Sequence, residues 1–377
     1  VPLGSDYMIT PQKDDDILNG VSTYDMILIS KHILGTQMFD SPYEYIAADI
    51  DNSGNISTLD LIRLRKLVLQ KDTEFPNGNR PWRFVDASFT FPEGVNPLDV
   101  DFPERRAIQN FSATNAQADF VGIKVGDVNG SVRPNSILQG EARTTEGDMI
   151  VRVQDRAFEP GETFTVDVSS ADLFNLTGYQ FTLKYDPRLL ALVDIQEGDL
   201  PRMSDENFGI VDTQQGLITT SWSELNDVLT MDQGRLFTLT FRAIRSSDLY
   251  TALRLAPDPT PAEAYVYDGS LYNVQLQIED ELGRPRLEGT YKVFQNHPNP
   301  FNHTTMIGIS LPRRSEVSLK VFDMAGRMVY REKASFASGY NEFALSRQDL
   351  NGNGVYYYLI ESDEFAETKK MILSSAR

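Results

Sequence analysis

Residues 179–187 read YQFTLKYDP. Tyr179, Phe181, Leu183 and Tyr185 alternate with Gln180, Thr182 and Lys184, and the run ends on Asp-Pro. A period of two puts the four large side chains on one face of a strand and the polar ones on the other. The proline closes the run. The same texture lies to either side. ETFTVDVSS (162–170) alternates Phe164, Val166 and Val168 with Thr163, Thr165 and Asp167, and LFTLTFRA (236–243) alternates Phe237, Leu239 and Phe241. Short period-two strands between Gly, Asp and Pro turns predict a β-sandwich over residues 139–280.

Towards the C-terminus, ELGRPRLEGT (281–290) is rich in Gly, Pro and charge and reads as a linker. Strands then resume. EVSLKVFD (316–323) alternates Val317, Leu319 and Val321. DMAGR (323–327) is a turn into MVYRE, with Gly326 free to take positive φ. GYNEFAL (339–345), GVYYYLIES (354–362) and TKKMILSSAR (368–377) follow. A small all-β domain, a second sandwich, is expected over 291–377.

Towards the N-terminus the period changes. GVSTYDMILISKHIL (20–34) aligns with NISTLDLIRLRKLVL (55–69) at a constant offset of 35 residues. Ser22, Thr23, Asp25, Ile27 and Lys31 recur as Ser57, Thr58, Asp60, Ile62 and Lys66. Met26, Ile29 and Ile33 share one helical face, as do Leu61, Leu64 and Val68. Two short helices, each led by a polar loop, must pack together to bury those faces. The whole chain is therefore multidomain and mainly β, with a small helical module at residues 6–135.

The second loop, DIDNSGNISTLD (49–60), has a regular oxygen spacing. Asp49, Asp51, Ser53, Ser57 and Asp60 stand at steps 1, 3, 5, 9 and 12, with the carbonyl of Asn55 at step 7 and Gly54 at step 6. Ca²⁺ takes six to eight oxygens at about 2.3–2.6 Å, and a twelve-residue loop running into a helix supplies them at these steps. Asp60, in the first turn, also suits the helix dipole. An Asx-turn cluster is the metal-free alternative. The first copy is less complete. Asp14, Asp16, Ser22 and Asp25 hold steps 1, 3, 9 and 12, but Leu18 stands at step 5 and Gly20 at step 7. It is either a distorted second calcium site or a metal-free loop. GDVNGS (126–131) spaces Asp127, Asn129 and Ser131 in a partial calcium pattern, as a brace or a source of further ligands.

Composition narrows the function. Asp and Glu number 54 against 35 Lys and Arg, a net charge of -19. That balance excludes a nucleic-acid backbone binder, which needs a basic face. It suits an extracellular protein or one that handles cations, or simply solubility. There is no cysteine and there are three histidines, so disulfides, zinc-thiolate sites, thiol nucleophiles and HExxH motifs are excluded. No apolar run reaches the roughly 18 residues that span a bilayer. The opening VPLGS (1–5) reads as a cloning scar, with room upstream for a signal peptide and further domains. No motif pairs a catalytic acid with a base, and the chain reads as non-catalytic. Two alternatives are a carbohydrate-binding or adhesive module, stacking sugars on Tyr179, Tyr185 and Trp222, although sandwich aromatics are more often core, and the C-terminal part of a glycan-degrading enzyme.

Three resemblances follow from these residues. The two loop-helix repeats, continued through WRFVDASFTF and VGIKVGDVNG, resemble the dockerin family in an extended form found in secreted proteins of Bacteroidetes-type bacteria. That resemblance implies calcium at the positions named and partner contacts at loop steps 10 and 11, here Thr23, Tyr24, Thr58 and Leu59. Plain core packing is the other reading of Tyr24 and Leu59. The middle sandwich resembles cohesin-like domains, through EPGETFTVDV (159–168), LTGYQFTLKYDPRLLAL (176–192), FGIVDTQQGLITTSW (208–222) and GRLFTLTFRA (234–243). Cohesins bind dockerins, so contact within or between chains is implied. The last domain resembles the type A sorting domain of the type IX secretion system. The matching positions include Pro298, Asn299, Pro300, Phe301, Asn302, Asp323, Gly326, Arg327, Gly339, Tyr356 and Lys370. This implies a folded signal read by the outer-membrane translocon and its sorting components. It implies removal by a peptidase, with the cut expected in 281–290, and release or attachment to surface lipopolysaccharide. A secreted or cell-surface protein is expected.

Overall fold

The computed structural model describes residues 2–112, 117–133, 145–224, 229–286, 291–337, 339–362 and 365–374. The domain boundary expected at 135–139 lies outside these residues, as do 287–290 of the expected linker and 375–377 of the last expected strand. By contact the chain divides in two. Residues 1–151, 158–247 and 252–275 form one unit, and residues 152–157, 248–251 and 276–377 the other. The helical repeats and most of the middle sandwich share the first unit.

The helical part runs β1 (Tyr7–Ile9), α1 (Thr23–Ile33), α2 (Pro42–Ala48), α3 (Thr58–Val68), β2 (Trp82–Asp86), β3 (Arg106–Ile108) and β4 (Phe120–Lys124). Each of these three helices opens on a serine with an acid three residues on: Ser22 and Asp25, Ser41 and Glu44, Ser57 and Asp60. This capping box satisfies backbone N–H groups that the first helical turn leaves open. Met26 and Ile29 of α1 meet Leu61, Leu64 and Val68 of α3, as the repeat predicts, with Ile33 only partly buried. The core has further sides. Ile46, Ala47 and Ala48 of α2 close one, and Val85 of β2 and Ile123 of β4 close another. The strands β1–β3 and β2–β4 pair antiparallel.

The sandwich contains β5 (Gly147–Gln154), β6 (Ala157–Phe158), β7 (Thr163–Ser170), β8 (Leu176–Tyr185), β9 (Leu190–Glu197), β10 (Phe208–Asp212), β11 (Leu217–Ser223), β12 (Gly234–Ala243), β13 (Ser247–Asp248), α4 (Leu249–Ala252), β14 (Leu253–Ala256), β15 (Glu263–Val266) and β16 (Leu271–Glu279). One ladder runs β10-β11-β8-β15-β16-β5-β7-β12-β9, with β14 also on β8. Although β8 and β12 are far apart along it, Phe181 lies 6.1 Å from Phe237 and Tyr185 lies 5.3 Å from Phe241, between ring centroids. The ladder is therefore curled into two layers with interleaved rings. Tyr179, Tyr185 and Trp222 are 0%, 3% and 1% exposed. Of the two readings of these three, sugar stacking and core packing, core packing holds: alternation points them inward.

The second unit holds β17 (Lys292–Val293), β18 (Thr304–Leu311), β19 (Ser315–Asp323), β20 (Met328–Phe336), β21 (Gly339–Ser346), β22 (Gly354–Ser362) and β23 (Phe365–Leu373). They form sheets β17-β18-β21 and β20-β19-β22-β23. Ile307, Ile309 and Leu345 from one sheet share a single apolar cluster with Val317, Leu319, Val321, Tyr358, Ile360 and Met371 from the other. This is the second, smaller sandwich.

Candidate functional site

The loop between α2 and α3 gathers its acids. Asp49, Asp51 and Asp60 are all buried, and their carboxylate oxygens lie within 4.8 Å of one another. The loop's own backbone holds two of the three. Asp49 accepts from the N–H groups of Ser53 at 2.8 Å and Gly54 at 2.9 Å. Asp60 Oδ1 accepts from Ile50 and Asp51, and its Oδ2 from Ser57. Gly54 has φ +78°, the left-handed conformation that glycine takes at least cost. Asp51 Oδ1, in contrast, is buried with no hydrogen-bond partner. Burial raises the pKa of Asp49 and of Asp60 above the ordinary carboxylate value, against the pull of those N–H donors. Three buried carboxylates and an orphaned oxygen form a donor set that suits a hard cation. Ser53 donates its hydroxyl to the Asn55 carbonyl at 3.2 Å, and Ser57 caps α3. The extension braces this loop from outside. Asn77 donates to the Asp51 carbonyl at 2.8 Å, and Asn79 to those of Asp49 and Ile50 at 3.0 Å.

The first loop is arranged differently. Asp14 accepts from Gln12, and Asp25 is fully buried, accepting from Ser22 and from the Val128 N–H at 3.0 Å. Burial, with Asp127 nearby, pushes Asp25 up to about 8. Among the described residues, Asp14, Asp16 and Asp25 form no acid group close enough to share a metal; that of Asp49, Asp51 and Asp60 does. Asp127 accepts from the N–H groups of Ser131 and Val132, and Asn129 also accepts from Ser131. The GDVNGS segment thus folds on itself and against the first loop.

The two helices meet the sandwich with their open ends. The Thr23 N–H, at the start of α1, donates to Gln180 Oε1 on β8 at 2.6 Å, and the Thr23 hydroxyl lies 2.8 Å from that of Ser221 on β11. Tyr24 stacks on Tyr265 with centroids 5.3 Å apart. At the far end of α3, the Val68 carbonyl accepts from the Thr260 hydroxyl at 2.8 Å, and the Leu69 carbonyl from the Thr219 hydroxyl at 2.7 Å. Lys71 donates to the Asp205 carbonyl at 3.1 Å. Helix ends leave N–H and C=O groups without partners; here side chains of β8, β11 and the loop before β15 supply them. Of the four residues at steps 10 and 11, Thr23 and Tyr24 face the sandwich, whereas Thr58 and Leu59 are exposed. Gln180, Thr219, Ser221 and Thr260 gave no signal in the sequence, since single polar residues on strands and in loops are commonplace.

In the second unit the PNPFN segment is pinned to the last strands. Asn299 accepts from the Ile372 N–H at 2.9 Å. Phe301 is 1% exposed and exchanges backbone bonds with Ile372 and Ser374. The peptide bonds before Pro298 and Pro300 are cis. Asn296, which the sequence reading missed, ties Tyr358, Thr305 and Pro298 together beneath them. Asn302 lies at the surface beside Phe301, and its carbonyl accepts from Arg347. At the turn, Asp323 accepts from the N–H groups of Ala325 and Arg327 and from the Arg327 guanidinium, and Gly326 has φ +74°. Gly339 opens β21 at φ +100°. Tyr356 donates to the Gly352 carbonyl, and the Lys370 carbonyl accepts from Gln295.

Residues 150–256 match the cohesin domain family, and residues 295–374 match the secretion system C-terminal sorting domain family. The middle sandwich is thus a cohesin-like domain and the last one a type IX sorting domain; both are non-catalytic modules. The sorting domain indicates secretion across the outer membrane, to the cell surface or the exterior. No curated protein matches the chain. Among solved structures, a type II cohesin dyad from the adaptor scaffoldin ScaA of Acetivibrio cellulolyticus is 14% identical over 47% of this chain, with TM-score 0.27. This chain spans 61% of that dyad. A type I cohesin–dockerin complex, Coh-OlpA-Doc918 from Clostridium thermocellum, is 17% identical over 35% of this chain and 94% of its own, with TM-score 0.28. Type II cohesin A11 from Bacteroides cellulosolvens is 15% identical over 36% of this chain and 100% of its own, with TM-score 0.27.

Proposed function

We propose that the chain is a non-catalytic region of an exported protein, in which a calcium-ordered, dockerin-like module is held in cis by the cohesin-like sandwich. The observation that carries this reading is the pairing of helix ends with side chains of the sandwich: Thr23 with Gln180 and Ser221, and the Val68 and Leu69 carbonyls with Thr260 and Thr219. Asp49, Asp51 and Asp60, with Ser53, Ser57 and the Asn55 carbonyl, would hold Ca²⁺. The cation supplies the positive charge that three buried carboxylates lack among themselves. The orphaned Asp51 oxygen supports this assignment. The C-terminal unit delivers the cargo to the translocon and its sorting components, after which the mature part is released or attached to lipopolysaccharide.

A thermal melt of the full chain tests the metal. A ligand bound only to the native state stabilises it by about 2.7 kcal/mol at a hundredfold excess over Kd. Calcium should therefore raise the melting temperature relative to a chelator, and Asp49→Ala should remove the rise. A rise that survives Asp49→Ala would refute the site.

A further inference from the structure

We infer that the first loop is closed by the Lys124 ammonium and the segment 127–131 in place of a metal, so that the chain takes one Ca²⁺ and only α3 depends on it for its hold on the sandwich. This rests on the calcium reading of the second loop.

The extension reaches the first loop at four points, one of them the pair of bonds that Asn19 and Arg133 exchange at 2.8 and 3.0 Å; the other three bear on what closes the loop. Lys124, at the end of β4, is 3% exposed, and its Nζ donates to the Ile17 carbonyl in mid-loop at 2.7 Å. Asp15, Asp16 and Asp127 face it, with Lys13 the nearby like charge, and its Nζ lies 5.6 Å from the Phe75 ring centroid. A lysine is almost never buried unless paired; here the Ile17 carbonyl takes its hydrogen bond, and Asp16, Asp127 and Asp15 add electrostatic attraction from farther off. The second point is step 7, whose carbonyl is the backbone ligand of such a loop. In the first loop this is the Gly20 carbonyl, and the Ser131 hydroxyl donates to it at 2.9 Å. Gly20, at φ +80°, has no room for a Cβ, which would press on the backbone of Val132. The third point is Asp25, at step 12, whose Oδ1 accepts from the Val128 N–H at 3.0 Å. Leu18, at step 5, packs against the module core.

The second loop is braced at backbone carbonyls by Asn77 and Asn79 and at the Asn52 side chain by Arg83, 2.9 Å away, none of which bonds its three carboxylates; these face one another. The two helices therefore differ in what holds their loops. α1, which carries Thr23 and Tyr24, is anchored by covalently attached groups; α3, which carries Val68 and Leu69, begins at the metal loop.

Hydrogen exchange on the full chain, with calcium and with a chelator, separates these cases. Chelation should speed exchange in residues 49–69 at least tenfold and leave α1 and the Val128 amide within about twofold. Titration with Ca²⁺ should give one site per chain. Two sites, or equal loss of protection in both helices, overturns the inference while sparing calcium at the second loop. No site, with no change on chelation, sinks the calcium reading and the inference with it. Lys124→Met should speed exchange in α1 in both buffers; an unchanged α1 in a folded variant would also overturn it.

Discussion

Thr23 makes two bonds at one point, and both are to side chains that are themselves fully buried: Gln180 and Ser221 are 0% exposed. A buried polar group left without a partner costs about 1–3 kcal/mol, more than the net worth of the bond that satisfied it. Thr23→Val keeps the shape and the backbone N–H but leaves the Ser221 hydroxyl facing a methyl group. It should lower the stability of the first unit by about 1–3 kcal/mol in urea titration. Thr23→Ser, which keeps the hydroxyl, should stay close to the parent. Equal stability of Thr23→Val and Thr23→Ser would mean that the contact contributes nothing. At this scale the sequence was readable where partners are close in the chain. The steps of the 49–60 loop lie within twelve residues, so their spacing alone carries the geometry. The partners of Thr23 lie 157 and 198 residues away, and no local pattern announces them.

Between elements, α3 and β10 come closer than side chains would allow. A Cβ at Gly209 would fall on the Leu69 carbonyl oxygen and the Thr219 hydroxyl, the same pair that joins the end of α3 to the sandwich. Forcing atoms into a packed contact costs about 1–3 kcal/mol. Gly209→Ala should therefore destabilise the first unit by that amount and raise amide exchange at the C-terminal end of α3, with the second unit unchanged. Undiminished protection of α3 would show that this end is not held as described. The long elements were legible because their period is written many times over. β7, β8 and β12 each repeat a two-residue alternation, and α1 and α3 repeat a helical one. The short ones were not. α2 has seven residues, PYEYIAA, fewer than two helical turns beyond its cap. β2 and β4 have five residues each, and their stability comes from pairing across the extension and from the core they close, which only the folded chain displays. The same limit hid Lys124, which in sequence is one lysine at the end of a short apolar run.

Over the whole molecule, charge is unevenly divided. Residues 291–377 carry 11 Lys and Arg against 9 Asp and Glu, a net +2, whereas residues 1–290 carry 24 against 45, a net −21. The sorting unit thus has a charge balance of its own, opposite in sign to that of the rest of the chain, and a fold of its own. That fold is internally supported: one apolar cluster joins both sheets, and Asn296, Asn299 and Phe301 pin the PNPFN segment to β22 and β23. A signal built this way should work on unrelated cargo. In a cell with the type IX system, deletion of 291–377 should strand the rest of the chain in the periplasm, and fusion of 291–377 to a folded reporter should carry it to the medium or the surface. Fractionation and blotting would check both. Asn296→Ala separates fold from mere presence: it leaves the PNPFN motif intact and removes the two side-chain bonds, to the Pro298 carbonyl and the Thr305 hydroxyl, that support its start, and export of the fusion should fall. Export that survives the deletion would mean that the information lies upstream of the sorting unit.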